Sequence, residues 1–112
     1  MKTITTAELE MLHEKDPSVL IINTLPHESF EKTRIPGAIS IPQDVPDFVN
    51  RVKQEVGGKN QKMVVYCANS HCDSSEKATK KLEEAGFTSV LTYKGGAEAW
   101  KNEAKQPSVA AT

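Results

Sequence analysis

In the segment Met63-Val64-Val65-Tyr66-Cys67-Ala68-Asn69-Ser70-His71-Cys72-Asp73-Ser74, an apolar run of four residues gives way at Cys67 to a polar loop, and a helix opens at Ser74. An apolar run bounded by polar residues reads as a strand buried on both faces. The order strand, loop, helix therefore places a thiol at the carboxyl end of a buried strand, facing the amino end of a helix. Amide N–H groups converge there, and the helix dipole favours negative charge. The sequence thus predicts a Cys67 that is partly thiolate near neutral pH, the form in which cysteine reacts. A buried, inert cysteine is the plainer alternative, and the small and polar residues that follow Cys67 weigh against it.

Working outward, the same alternation recurs. Thr5-x-x-Glu8 is a capping box and opens a short helix through Leu9, Met11 and Leu12 that ends near Asp16-Pro17. Val19-Leu20-Ile21-Ile22 is a second buried strand. Residues 24–33 are polar, contain Pro26, and read as a loop or short helical turn. Ile35-Pro36-Gly37-Ala38 is a turn, and Ile39-Ser40-Ile41 a short strand. Val45, Phe48, Val49, Val52 and Val56 fall on one face of an amphipathic helix, with Pro46 in its first turn and Gly57-Gly58 closing it. Asp73-x-x-Glu76 offers a second capping box. Ala78, Leu82 and Ala85 form the buried stripe of the helix that Gly86 ends. Val90-Leu91-Thr92-Tyr93 is the next strand, and residues 97–104 form a last helix carrying Trp100.

Short apolar strands alternating with helices predict an α/β domain: three layers, with a central, mostly parallel sheet of about five short strands and helices on both faces. In such sheets ligands bind outside the carboxyl ends of the strands, where the loop after Tyr66 lies. The expected organisation is a single domain over residues 1–104 and a flexible tail over 105–112.

The 112 residues suffice for one domain, which at this size buries about 65% of the surface its unfolded chain exposes. The formal net charge of −1 gives no footprint for nucleic acid. No apolar stretch approaches the roughly 20 residues that span a bilayer, and acidic residues interrupt the N-terminal segment before any signal-peptide pattern. A soluble, cytoplasmic monomer with no nucleic-acid or membrane partner is expected. Two cysteines within one loop point to chemistry more than to a structural disulfide, because so small a ring adds little stability.

Several stretches resemble the rhodanese-like domain, the single-domain sulfurtransferase family. Val64-Val65-Tyr66-Cys67, the helix reaching Leu82 with Ala85-Gly86-Phe87, and Gly95-Gly96 followed by Trp100 are similar to the second half of that domain. Ile35-Pro36-Gly37-Ala38-Ile39-Ser40-Ile41-Pro42 resembles its first-half signature, and residues 5–9 its opening. The resemblance covers residues 3–103. It implies a small α/β sulfurtransferase whose loop cysteine, here Cys67, takes sulfane sulfur from a donor as a persulfide and passes it to a thiol or cyanide. The implied partners are a small-molecule sulfur donor and a thiol acceptor, which could be a protein thiol. No metal or organic cofactor is implied.

The departures from the family pattern are specific. Its Asp-x-Arg pair is Asn23-Thr24-Leu25 here, its Gly-His is Thr33-Arg34, and the loop from Cys67 to Ser75 carries no arginine or lysine. Thiosulfate is a dianion. The loop would hold it only with backbone N–H groups, hydroxyls and His71, and Asp73 would oppose it. A polysulfide or low-molecular-weight persulfide is the expected donor.

The candidate catalytic residues are Cys67 and Cys72. For Cys72 two readings stand: a resolving thiol that attacks a persulfide on Cys67, or an incidental loop cysteine. The candidate substrate-binding residues are Ala68, Asn69, Ser70, His71, Asp73 and Ser74. The loop amides would cradle the persulfide, the hydroxyls of Ser70, Ser74 and Ser75 can donate to sulfur oxyanions, and His71 can favour the thiolate. Capping of the following helix accounts for Asp73 and Ser74 without a ligand. Arg34 is either a substrate clamp or a surface residue. A zinc site at Cys67, His71 and Cys72 lacks a second ligand pair elsewhere. Phosphatase chemistry needs an arginine at the loop's end, which is absent; arsenate reduction fares slightly better because of Cys72. The competing non-enzymatic reading is an interaction or thiol-redox module of the same fold.

Overall fold

The computed structural model describes residues 2–16 and 18–104; the tail expected over 105–112 lies outside the described residues. Five strands and five helices alternate: β1 (Lys2–Thr3), α1 (Thr6–Lys15), β2 (Leu20–Asn23), α2 (His27–Thr33), β3 (Ile39–Ser40), α3 (Phe48–Glu55), β4 (Met63–Tyr66), α4 (Ser74–Glu84), β5 (Val90–Tyr93) and α5 (Gly96–Glu103). All strand pairs are parallel, in the order β1-β5-β4-β2-β3. From β2 the chain steps outward to β3, then returns to the other side of β2 with β4 and continues to β5. The order reverses between β2 and β4. The crevice beyond their carboxyl ends is the topological switch point where open α/β sheets place ligands, and Cys67 directly follows β4.

The period-2 geometry of the strands splits their side chains between two cores. Ile22, Met63, Val65 and Val90 face Phe48 and Val52 of α3 and Ala78 and Leu82 of α4. Ile21, Val64, Tyr66, Leu91 and Tyr93 face Leu9 of α1, Trp100 of α5 and Ile35. Every residue of β4 and β5 is buried, as their unbroken apolar reading requires. The three layers expected from the alternation are present.

Local structure follows the sequence in most places and departs from it in three. The Thr5–Glu8 capping box forms, with the Glu8 amide donating to Thr5 Oγ1 at 3.2 Å and the Thr5 amide to Glu8 Oε1 at 2.8 Å. Gly86, at φ +98°, ends α4 in a Schellman arrangement: the Phe87 amide donates to Leu82 O and the Gly86 amide to Glu83 O. The second capping box does not form. Asp73 occupies the N-cap position without a side-chain cap bond and pairs with Lys77 at 3.6 Å, while Glu76 is drawn off to Lys94. Helix α3 starts at Phe48, not Val45, since Pro46 disfavours helical backbone at the residue before it and the chain turns with the Phe48 amide on Val45 O. Residues 27–33 take the helical alternative of the two read from the sequence, although none is buried. β1 is too short for any periodicity to reveal it and exists only through pairing with β5.

Candidate active site

Three backbone contacts fix the loop that begins at Cys67. The amides of Ala97 and Glu98, at the start of α5, donate to the carbonyls of Cys67 and Ala68, each at 2.9 Å, and the Cys72 amide turns back onto Asn69 O at 3.1 Å. Gly96 makes the first two possible. Its φ is +66°, and a Cβ there would lie 2.5 Å from the Cys67 carbonyl oxygen. Only a residue without a side chain lets the two backbones approach this closely. Within the loop, Asn69 Oδ1 accepts from the His71 amide at 2.9 Å, closing a tight Asx turn.

Both cysteines are free thiols. Cys67 is 1% exposed. Its thiol donates to the Cys72 carbonyl at 3.3 Å and to Ser75 Oγ at 3.6 Å. Burial pushes the Cys67 thiol above its ordinary value, and its engagement with Cys72 adds to the rise; the amide and hydroxyl of Ser75 act in the opposite sense without overcoming it. At Cys72, half-buried, the balance reverses. Burial works against ionisation, but the Cys67 thiol, the amides of Ser74 and Ala68 and the Ser74 hydroxyl stabilise the thiolate and hold the group below its ordinary value. The expectation of a Cys67 thiolate at rest is thus corrected. Burial outweighs the helix terminus, and two of the loop's amides serve Cys72. The two sulfurs titrate as a pair, and Cys72 is the readier of the two to ionise.

The other sequence candidates divide. Ala68 and Ser74 contribute donors to the thiol pair. Asn69 shapes the turn. Ser70, His71 and Asp73 are exposed, and no hydrogen bond or ion pair joins any of the three to either sulfur. Ser75, 1% exposed, sits against Cys67. Among the described residues no group of three His, Cys, Asp or Glu side chains could hold a metal ion.

Sequence reading missed the support beneath the site. Asn23, which stands in place of the family's aspartate, donates to the Tyr66 hydroxyl at 3.1 Å and to Thr33 Oγ1 at 2.9 Å, and its Oδ1 accepts from the Leu25 amide at 3.0 Å. The Tyr66 hydroxyl donates to Thr33 O at 2.8 Å and accepts from the Ile35 amide at 2.9 Å. A neutral network thus brackets Arg34 on both sides and ties the α2–β3 connection to the residue before Cys67. The only available signal was a tyrosine next to a candidate nucleophile. Arg34 itself stacks over Phe30 at 4.7 Å and pairs with Glu31 at 2.8 Å. It lines a cleft of about 480 Å³ together with Lys32, Ala68, Asn69, Glu98 and Lys101.

The comparisons with known proteins agree with this construction. Over 89 residues, 78% of this chain, the sequence is 32% identical to the adenylyltransferase and sulfurtransferase UBA4 of Meyerozyma guilliermondii, of which it covers 21%. Over 83 residues, 74% of this chain, it is 31% identical to the HTH-type transcriptional regulator Rv0324 of Mycobacterium tuberculosis, of which it covers 34%. The chain therefore spans about a fifth to a third of the curated relatives it matches. The thiosulfate sulfurtransferase of Pseudomonas aeruginosa superposes with a TM-score of 0.82 at 22% identity, over 95% of this chain and 20% of that one, a likeness of fold alone. The model of the rhodanese-like domain matches residues 5–103, and with a cysteine loop seated at the switch point of a five-stranded parallel sheet, the chain belongs to the rhodanese-like family.

Proposed function

We propose that this protein is a sulfurtransferase that carries sulfane sulfur as a persulfide on Cys67, with Cys72 as its second thiol. The observation that carries the reading is the placement of the two cysteines: a buried Cys67 whose thiol meets the Cys72 carbonyl, beside a Cys72 whose neighbours favour its ionisation, in a loop pinned by the start of α5. A family relative named a sulfurtransferase supports it.

When a donor enters, Cys67 gives its proton to the Cys72 thiolate and attacks the outer sulfur of an organic persulfide R–S–SH. The S–S bond of the donor breaks, R–S⁻ departs and takes the proton from Cys72, and Cys67–S–SH remains. The amide and hydroxyl of Ser75 are placed to stabilise the persulfide anion. An external thiolate can attack the terminal sulfur and restore Cys67. Alternatively the Cys72 thiolate attacks the inner sulfur, forming a Cys67–Cys72 disulfide and expelling HS⁻, after which two equivalents of thiol reduce the disulfide. The reaction needs free thiols and so a reducing compartment, which the cytoplasm supplies.

The donor we favour is a polysulfide or low-molecular-weight persulfide. No cation lies between Cys67 and Ser75 to meet a dianion such as thiosulfate. Intact-protein mass after exposure of the reduced protein to glutathione persulfide, with thiosulfate in parallel, tests this. The expected result is a gain of one sulfur that is absent from Cys67→Ser and greater with glutathione persulfide. Sulfur gained by Cys67→Ser would overturn the assignment.

A thiol-redox module is the second reading. The contact between the two cysteines favours it, and a relative is named a transcriptional regulator. It predicts a loss of two hydrogens on mild oxidation and no sulfur gained from any donor.

A further inference from the structure

The end of the sheet opposite the cysteine loop carries an apolar groove that sulfur transfer does not use. On α1, Glu8, Met11, Leu12 and Lys15 fall at i, i+3, i+4 and i+7 and so share one face. That face lies beside β1, where Lys2 and Ile4 point the same way because side chains alternate along a strand. With Lys62 and Leu91 these residues line a groove of about 410 Å³. Ile4, Leu12 and Leu91 make it continuous with the core beneath α1. Met11 is 58% exposed, the one large hydrophobic side chain left open to water among the described residues. Exposed apolar surface rimmed by polar groups marks an interaction site, and methionine adapts its shape to what it meets. Because β1 pairs only with β5, its outer edge is also open to another chain.

The rim is cationic. Lys2, Lys15 and Lys62 come from three separate parts of the chain. All are exposed, and none forms an ion pair among the described residues. Glu8 is the one acidic residue of the lining, and one of its oxygens accepts from the Thr5 amide. Asp16 lies outside the lining; the Ser18 hydroxyl chiefly holds it below its ordinary value, and the Lys62 charge contributes. Three cations against Glu8 leave two positive charges, and against Glu8 and Asp16 together still one.

We infer that this groove docks an acidic segment of a partner protein, with apolar side chains seated against Met11, Leu12 and Leu91 and carboxylates against the lysine rim. A second copy of this chain does not suit the surface. In a symmetric pair the same patch faces itself, which would set the three lysines of one copy against those of the other. Lys62 precedes β4 and Cys67 follows it, so groove and thiol lie at opposite ends of one strand, about 16 Å apart along it. A partner held in the groove leaves the cysteine loop open. Docking there is independent of whether Cys67 carries sulfur.

Amide NMR shifts of the isotope-labelled full chain test the inference. The probe is a pool of end-blocked decapeptides in which Asp or Glu alternates with Leu or Phe. The control pool carries Asn or Gln in place of the acids. The acidic pool should shift amides of α1, of β1 and around Leu91, and leave residues 67–75 unmoved. Binding should weaken by ~5-fold or more for the neutral pool and for the variant Lys15→Gln/Lys62→Gln, the effect of losing two exposed charge pairs. It should also weaken with rising salt and in Met11→Ser. All three substituted side chains are exposed, so the variants keep their fold, which thermal unfolding verifies. No shifts at the groove, shifts centred elsewhere, or equal binding of the two pools would overturn the proposal. So would a concentration-dependent dimer in sedimentation that Met11→Ser abolishes, because the occupant would then be a second copy.

Discussion

The amide of Ala97 donates to the carbonyl of Cys67 at 2.9 Å, so the first turn of α5 holds the backbone of the candidate nucleophile. The contact depends on Gly96, whose missing side chain leaves room for that carbonyl. The loop is thus set between two helices: α4 supplies Ser75 to the sulfur, and α5 anchors the peptide group.

Gly96→Ala should be among the most damaging single changes in the chain. The new methyl would sit 2.5 Å from Cys67 O and 2.9 Å from the Ala68 carbonyl carbon, at φ +66°. Left-handed backbone costs a non-glycine residue about 1–2 kcal/mol before any clash is counted. A urea unfolding curve should show a loss of roughly 2 kcal/mol or more, and sulfur loading should fall with it. A variant of unchanged stability would show that the α5 contact does not constrain the loop.

The two thiols should respond to each other's removal in opposite senses. Cys72 raises the Cys67 value, whereas Cys67 helps to lower that of Cys72. Thiolate absorbance against pH should therefore show Cys67 ionising at lower pH in Cys72→Ser, and Cys72 ionising at higher pH in Cys67→Ser. In the unaltered protein, limiting iodoacetamide near neutral pH should label Cys72 first, as the more exposed and more ionised sulfur. Peptide mapping that finds Cys67 labelled first would contradict this assignment of the charge.

Alkaline pH should destabilise the fold. Cys67, Tyr66 and Tyr93 all lie above their ordinary values, in each case chiefly through burial. An acid raised in the folded state keeps its proton when folded and releases it more readily when unfolded. Its contribution is intact below the unfolded value and declines as pH rises toward the folded one. Stability measured by urea should fall as pH climbs past the ordinary cysteine value of 9.0, and further past the tyrosine value of 10.0. Cys72 has the opposite sign, so its contribution is lost as pH falls through its lowered value. Cys67→Ser should flatten the first part of the alkaline decline.

Tyr66→Phe should cost roughly 2–4 kcal/mol, because it strands the Ile35 amide and removes the donor to Thr33 O in a buried setting. Asn23→Ala breaks the same network, so the double variant should lose less than the sum of the single ones. Additive losses in urea unfolding would mean that the two side chains act separately.

The periodicity of the chain sufficed for the three longer strands and for α1, α3, α4 and α5, since burial on both faces leaves an apolar mark on β2, β4 and β5, and the short run Ile39-Ser40-Ile41 marked β3. It placed Cys67 at the end of β4 because a strand, a polar loop and a helix succeed one another there within a dozen residues. β1 and α2 left no such mark: a two-residue edge strand has no period, and α2 buries nothing. Glu76 illustrates a local rule overridden, since a cap expected from spacing lost to Lys94 across the fold.

What the sequence determined by itself was the order of elements and the identity of the thiol at the switch point, both functions of local pattern and chain order. The opposite shifts of the two thiols, the neutral Asn23–Tyr66 support and the cleft beside the loop were decided only by the tertiary structure. Each depends on groups brought together by the fold: burial sets the desolvation of Cys67, with Ser75 of α4 against its sulfur, and Lys32, Arg34 and Lys101 line one cleft only in the folded chain. Desolvation and charge fields follow from distances in space, which residue spacing along the chain does not encode.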